Sequence, residues 1–373
     1  MSKAIAFFPW LGSIESARSL GPIRLLPYTA NLAPGDQLHA TQADIDGVLR
    51  AYANTPKRRV KSATLIEVDD WRLGQDPEPA VARLFAAREA MAFAALADRK
   101  LFQGHFGYCN YDHFNLVVQR FEAGRADRFA FTTRRRDGGA GHLWTSEEFA
   151  FNRPLHLNKI DRVDFDEQLA TLLMDDVPSH WLDAVADFNR ANTDSADVLP
   201  HVELIMMKSA FEWLLEVDES AVAFERALVS CLASTETLGS PDGPLKDLWT
   251  AARPKAGRPL LAWAREFCAR RGAAAHGAAR DAKKWVWSEA SHLAFASILF
   301  PLILKKVAAE AGLWEMSFRD CERLRRLDNY VVSDPMAPSG PDERGNEDVH
   351  PWRLIESQIG VAELGRQIRQ QFV

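Results

Sequence analysis

The chain has 373 residues, 47% of them apolar and 26% charged, with a net charge of −6. That length suffices for two ordinary domains with sizeable cores, and the acidic balance argues against nucleic-acid binding over the whole surface, so any such site is local. The four cysteines, Cys109, Cys231, Cys268 and Cys321, lie far apart with no CxxC pair, which argues against a zinc ribbon or a disulfide framework.

The N-terminal stretch "MSKAIAFFPWLG" shows no signal-peptide pattern, because its apolar run is short and soon followed by polar residues. "AIAFFPW", "IRLLPY", "RRVKSATLIEV", "NLVVQRF" and "RFAFTT" are short runs of β-branched and aromatic residues bounded by Gly, Pro or Asp, and predict strands. Between them, "TQADIDGVLRAYAN" opens on a Thr N-cap and predicts a helix, and "DPEPAVARLFAAREAMAFAALADRKLF" predicts a long Ala-rich one with Pro near its start. "TTRRRDGGAGHLW" reads as a turn or loop carrying Arg134, Arg135 and Arg136. "GHFGYCNYDHF" spaces His105, Cys109 and His113 four residues apart. That spacing shares a face only on a helix, and its glycines and aromatics favour strand and turn, so no metal site is expected. A Cys109–His pair lacks any visible activating context.

From about Val163 the strand signals end. "DFDEQLATLLMDD", "SHWLDAVADFNRAN", "LPHVELIMMKSAFEWLLEV", "SAVAFERALVSCLAST", "RPLLAWAREFCARRG" and "SEASHLAFASILFPLILKKVAAEAG" carry apolar residues at helical spacing and predict a bundle with short connections. The most apolar segment, "LAFASILFPLIL", is too short to span a bilayer and contains Pro301. "SDPMAPSGPDERGNEDVHP" reads as a mobile linker, and "WRLIESQIGVAELGRQIRQQFV" as a closing amphipathic helix. The expectation is an α+β domain over 1–162, an all-α bundle over 163–332, and a loop with a C-terminal helix over 333–373. It is expected to be soluble, reduced and cytoplasmic, without a membrane segment or cofactor.

Within the bundle, "REFCARRGAAAHGAARD" places Arg271 and His276 in the pattern R-x4-H, with Arg270 in the looser R-x5-H. Histidine can accept or give a proton near neutral pH, with an ordinary pKa near ~6.5. Arginine offers a planar, permanently charged fork that matches phosphate oxygens. Five helical positions turn by roughly 140° and rise about 7.5 Å, so convergence needs a long Arg beside a kinked helix start, or two copies paired by symmetry. The span from Arg253 to Trp287 holds nine Lys/Arg against two acids inside a net acidic chain. Such an island suits a polyanion, with Arg265, Arg280, Lys283 and Lys284 as RNA-binding candidates. The bland reading of the island is an exposed helix and loop face kept in solution by charge. Glu212, in "SAFEWLL", is a candidate ion-pair partner for Arg271. For His276 the bland alternative is a packing histidine beside close-packed alanines.

This arrangement resembles the HEPN superfamily over roughly Val163 to Tyr330, on the R-x4–6-H motif, the Gly277 that follows it, and the preceding bundle helix "SAFEWLLEV". The resemblance implies a helical bundle with the motif near a helix start, and a metal-independent endoribonuclease whose site is shared across a homodimer. Arg271 and His276 match the motif arginine and histidine, with Arg270 and Glu212 in support. It further implies a place in phage defence or a toxin system, held in check or aimed by the α+β half or by a regulatory protein partner. The chain departs at Gly272, where many active members carry a polar residue, commonly Asn. A non-catalytic scaffold that binds RNA or a partner protein is therefore the second expectation, and a plain interaction module with structural Arg271 and His276 the third.

Overall fold

A computed structural model of the chain describes residues 3–12, 14–30, 39–55, 58–102, 108–122, 124–158, 160, 163–238, 243–253, 255–276, 285–336 and 350–371. The chain divides into two compact units: Met1–Lys100, His105–Val177 and Thr193–Ala196 in the first, Leu101–Gly104, Pro178–Asn192 and Asp197–Val373 in the second. The first is a sheet region and the second is helical.

In chain order the first unit carries β1 (Lys3–Phe8), β2 (Arg18–Leu20), β3 (Ile23–Thr29), α1 (Gln42–Leu49), β4 (Tyr52–Thr55), β5 (Arg58–Arg59), β6 (Ser62–Val68), α2 (Val81–Ala97), β7 (Val117–Phe121), β8 (Arg128–Arg135), β9 (Gly138–Thr145), β10 (Phe151–Asn152) and α3 (Glu167–Met174). Five strands form an antiparallel sheet in the order β2-β3-β6-β1-β7, with β3 and β6 in register from Ile23↔Val68 to Thr29↔Ser62. The central strands β1 and β6 are buried almost throughout, so both faces are covered. Successive side chains of a strand point to opposite faces. Accordingly Phe7 meets Tyr52, with ring centroids 5.0 Å apart, and Phe8 meets Phe114 at 6.2 Å.

Two local expectations fail here for identifiable reasons. The helical spacing of "TQADIDGVLRAYAN" holds only to Leu49. From Tyr52 the chain is a strand, because Tyr52 stacks on Phe151 at 5.1 Å and β4 pairs in parallel with β10. The run "TTRRRDGGAGHLW" is a hairpin: β8 pairs with β9 as far as Arg135↔Gly138, leaving Arg136 and Asp137 as a two-residue turn. Gly138, at φ +117, takes the backbone region open to glycine that this turn requires.

The division between units also falls later than residue 162. Helix α3 packs on α2 and β2, and Gly21, with φ +56, lies against the Thr171 side chain of α3. Thr193 and Asp194 return to the first unit through side chains. Thr193 and His156 both bond Asp112, while Asp194 accepts from Tyr108 at 3.1 Å and from Asn110 at 2.9 Å.

The second unit contains α4 (Ser179–Arg190), α5 (Pro200–Leu215), α6 (Ala221–Cys231), α7 (Lys246–Ala252), α8 (Pro259–His276), α9 (Glu289–Glu310), α10 (Phe318–Arg325), α11 (Leu327–Val332) and α12 (Pro351–Gln371). Pro opens α5, α8 and α12, where its missing N–H costs nothing. Ser220, Ser288 and Ser317 cap α6, α9 and α10 through their hydroxyls. Helix α5 packs against α4, α8 and α9, and the aromatic core runs through Phe188, Phe211, Phe300, Phe267 and Trp263. The apolar run around Pro301 proves to be the centre of a 22-residue helix, α9, which is long and apolar enough by length and composition to cross a membrane. In this unit it is the mostly buried core helix, packed by α5, α6 and α11. Most of the proline- and charge-rich linker, residues 337–349, lies outside the described residues.

Helix α12 is fastened by Glu356, whose carboxylate accepts from Arg323 at 2.9 Å, Arg319 at 2.8 Å and the Tyr330 hydroxyl at 2.6 Å. Burial pushes this carboxyl upward, but the hydrogen bonds and charges of Arg323 and Arg319, with Tyr330, outweigh it and hold it at about 2. A carboxyl depressed from its ordinary 4.5 contributes stability that is present above that value and lost as pH falls toward the folded one. The contribution is on the order of 3 kcal/mol. Glu356→Gln is expected to destabilise the protein at pH 7, and the deficit to shrink as pH falls from about 4.5 toward 2. Denaturant titrations of both proteins across that range check it, and a pH-independent deficit would refute the assignment.

Candidate functional site

Helix α8 carries the motif. Its start is fixed from a distance: the Asp328 carboxylate of α11 accepts from the Leu260 backbone N–H at 2.9 Å and from the Arg258 guanidinium at 3.0 Å. Its middle is core, with Trp263 stacked on Phe267 at 4.9 Å. Arg271 and His276 lie at its end, not near a helix start as the resemblance implies. The correction matters physically, because a helix N-terminus offers free N–H groups and positive potential to a phosphate, whereas the C-terminus offers carbonyls and negative potential. Any anion there must be held by side chains.

The residue that organises α8 is Glu266, which is fully buried. It accepts from the backbone N–H groups of Val286 at 3.0 Å and Trp287 at 2.9 Å, and faces His292 Nε2 at 3.4 Å. Arg253 and Arg270 flank it at 3.8 and 3.9 Å. Burial pushes its carboxyl up, yet the His292 bond and the two backbone donors outweigh burial and hold it below the usual carboxylate range. Burial pushes His292 down, so the pair is a carboxylate facing a neutral imidazole whose Nε2–H donates. Trp263, Phe267 and Trp287 enclose the His292 ring at centroid distances of 5.7–6.0 Å. Among the described residues, His292 Nδ1 and Trp263 Nε1 are buried with no hydrogen-bond partner.

The two adjacent arginines therefore differ in kind. Arg270 donates to the Trp287 carbonyl, lies 4.0 Å from Glu289 and sits 4.6 Å over the Trp285 ring. Burial pushes its guanidinium pKa down against the pull of Glu266 and Glu289. It is a strut between α8 and the segment that returns at 285–288. Arg271 points elsewhere, with Nη1 3.1 Å from Glu219, in the turn before α6. Glu212 is not its partner: that carboxylate accepts from Lys208 Nζ at 2.7 Å, and Lys208 is itself buried with its ammonium 4.6 Å over the Phe224 ring. A buried ammonium needs a counter-charge more than a half-exposed arginine does.

The basic island changes character in three dimensions. Arg253 faces Glu266, Arg258 binds Asp328, and Arg265 makes a two-pronged bond to Glu225 at 2.6 Å on each arm. Arg265, expected to touch RNA, is thus paired with a carboxylate of α6 while its side chain stays partly exposed. Every arginine described in the island has a carboxylate partner drawn from outside it or from Glu266. Arg280, Lys283 and Lys284 lie outside the described residues, and so does the side chain of His276.

Gly272 sits one helical turn before His276, and a Cβ built there meets nothing within 4 Å. Close helix packing thus gives no account of the small residue at this position. Burial pushes Cys109, Cys231 and Cys268 each up to about 11, which favours their thiol form at neutral pH. His113 has both ring nitrogens engaged, one by Asn110 and the other by the Asn158 carbonyl, in a single 3₁₀ turn, and His105 lies outside the described residues. Cys109 precedes that turn outside any helix, so no helical spacing joins it to His113. Among the described residues no cluster of three or more His, Cys, Asp or Glu could hold a metal ion.

No family model, curated protein or solved structure matches the chain.

Removing one partner of a buried ion pair typically costs about 3–5 kcal/mol, against about 0–1 for an exposed one. Glu266→Ala is therefore expected to destabilise by about 3–5 kcal/mol and Arg271→Ala by about 1 kcal/mol or less. Gly272→Ala is expected to stabilise by about 0.5–1 kcal/mol, since alanine favours the helix and the space is open. Equilibrium denaturation checks the ranking, and equal losses in Glu266→Ala and Arg271→Ala would contradict it.

Proposed function

We propose that the end of α8 is an RNA-facing site of HEPN type, where Arg271 holds phosphate charge and His276 transfers a proton during metal-independent cleavage. The observation that carries this reading is the quality of Arg271's ion pair. Its partner Glu219 is 72% exposed, whereas the partners of Arg265, Arg258 and Arg270 are 20%, 10% and 0% exposed. A pair to an exposed carboxylate is weak and readily screened, so a phosphate can displace it. Among the island's described arginines, Arg271 thus has the partner most readily displaced, which favours it over the partly buried Arg270 as the motif residue.

Both residues are helical, so they stand roughly 140° apart around one axis. One copy alone does not bring them to one phosphate, and the reading requires two copies related by a two-fold axis. In the reaction the RNA 2′-OH attacks the adjacent phosphorus while a base takes its proton. The P–O5′ bond breaks, the leaving oxygen takes a proton, and the products are a 2′,3′-cyclic phosphate and a 5′-hydroxyl. Arg280, Lys283 and Lys284 supply electrostatic attraction to the backbone. A place in phage defence or a toxin system, and control by a protein partner, rest on the resemblance alone.

A second reading is a non-catalytic scaffold that binds RNA or protein. Gly272 favours it, because no side chain beside Arg271 can add a hydrogen bond to a phosphate.

The test is cleavage of total cellular RNA and transfer RNA by the full chain in EDTA. Wild type is expected to cut, leaving cyclic phosphate ends. His276→Ala and Arg271→Ala are each expected to lose about 10²–10⁴ in rate with the fold retained. Uncut RNA overturns the nuclease. If binding persists with a steep salt dependence, the scaffold reading stands.

A further inference from the structure

Helix α12 is apolar on two opposite faces. Trp352, Ile355 and Ile359 are buried in the second unit, and Glu356 locks that face to Arg319, Arg323 and Tyr330. About 180° around the same helix, Leu354, Val361, Leu364 and Ile368 are 46–69% exposed. Scattered exposed apolar residues need no explanation, but four in one stripe along one helix do. Their spacing is 7, 3 and 4, which is the 3.5-residue period of a coiled-coil seam and not the 3.6 of an ordinary packed face. The positions fall as Leu354, Val361 and Ile368 at a, and Ser357, Leu364 and Gln371 at d.

We infer that this stripe is the interface with a second copy of the chain, pairing α12 with α12 in parallel as a short two-stranded coiled coil. The composition commits to that occupant. β-branched residues at a, here Val361 and Ile368, with leucine at d, here Leu364, favour two parallel strands. The flanking g and e positions are Arg353, Gln358, Gly360, Gly365 and Gln367, of which Arg353 alone is charged. Charges there ordinarily choose between partners, and in a parallel pair a g residue faces the following e position of the other helix, here the neutral residue 358, so no like charges meet across the seam. Gly360 and Gly365 have nothing within 4 Å of an added Cβ, so each weakens α12 with no packing reason inside the chain. On either side of the seam they let a second backbone approach closely.

A coil of under three heptads is marginal for isolated helices. Here the inner face of α12 is buried from Trp352 to Ile359, so over that stretch pairing orders little besides the side chains of the seam, while beyond Ile359 no described residue of α12 is buried. The area is modest, below the roughly 1,200–2,000 Å² of a standard stable interface. Pairing is accordingly expected in the micromolar range, unless other surfaces join it. This inference stands apart from the nuclease reading, because its readouts involve no RNA.

The test is the mass of the full-length protein by light scattering between about 1 and 100 μM, a span chosen to bracket micromolar dissociation. Wild type is expected to pass from monomer to dimer. Val361→Glu with Leu364→Glu is expected to remain monomeric with an unchanged melting temperature, since both side chains are exposed. In a Cys321→Ser background, Leu364→Cys is expected to form a disulfide-linked dimer on mild oxidation, because parallel pairing sets residue 364 against its own copy. Ser357→Glu, on the same seam, serves if the double variant fails to fold. A wild type that stays monomeric throughout, a dimer that survives the glutamates, or a Leu364→Cys protein that does not cross-link each overturns the proposal.

Discussion

The helical unit depends on burying one carboxylate. Taking an isolated charge out of water costs several kcal/mol even after relaxation, so Glu266 is tolerable only with its donors in place. Those donors are two consecutive backbone N–H groups at Val286 and Trp287, an imidazole on α9 and two flanking guanidinium groups. Each lies on a different segment, so satisfying the carboxylate fixes α8, the return of the chain at 285–288, the start of α9 and the segment at Arg253 together. The chain thus leaves α8 at His276 and is caught again ten to eleven residues later on the same helix, two to three turns back from its end.

Asp328, Glu225 and Glu356 repeat the device at smaller scale. Each carboxylate gathers donors distant in sequence: Asp328 joins the start of α8 to α11, Glu225 joins α8 to α6, and Glu356 joins α12 to α10 and α11. These pairs show why the basic island misleads when read along the chain. Counting Arg253, Arg258, Arg265 and Arg270 gives a local excess of positive charge, but Arg258 and Arg265 meet acids tens of residues away, and Arg253 and Arg270 share Glu266. Glu266, the acid four residues before Arg270, was visible as one of the island's two acids. Its burial was not, since nothing local separates a solvated Glu–Arg pair from a buried one.

What was legible followed from periodicity. The apolar spacing of "LPHVELIMMKSAFEWLL" and "RPLLAWAREFCARR" gave α5 and α8, and the β-branched runs gave β1, β3, β6, β7 and β8, because those patterns act within one element. The misses were decided elsewhere. β9 is the glycine-rich partner of β8, and Gly138 to Gly141 carry no strand signal of their own. β4 exists because Tyr52 finds Phe7 and Phe151. Helices α10 and α11 lie in a charged stretch whose arginines become intelligible only beside Glu322, Glu356 and Asp328. The motif residues were found by type and spacing. Which arginine faces outward was not, because Arg270 and Arg271 are adjacent and only the fold separates them.

That separation bears on what the end of α8 can do. A helix that is core for four turns and emerges in its last presents carbonyls and negative potential at the exit. A polyanion approaching there is repelled by the backbone and must be attracted by side chains. Asp328 neutralises Arg258, Glu225 grips Arg265 with both oxygens, and Arg270 is committed to the Glu266 cluster. Arg271 is left with a carboxylate that water already reaches. The same packing that consumes the island's other described arginines leaves Arg271 as the one whose partner a ligand can replace without opening the core. A helix end with a single releasable cation is a poor electrostatic trap by itself. On the proposed reading, two such ends brought together by a two-fold axis would double the charge at one place, so the proposed chemistry of the motif and the symmetry of an assembly become one requirement.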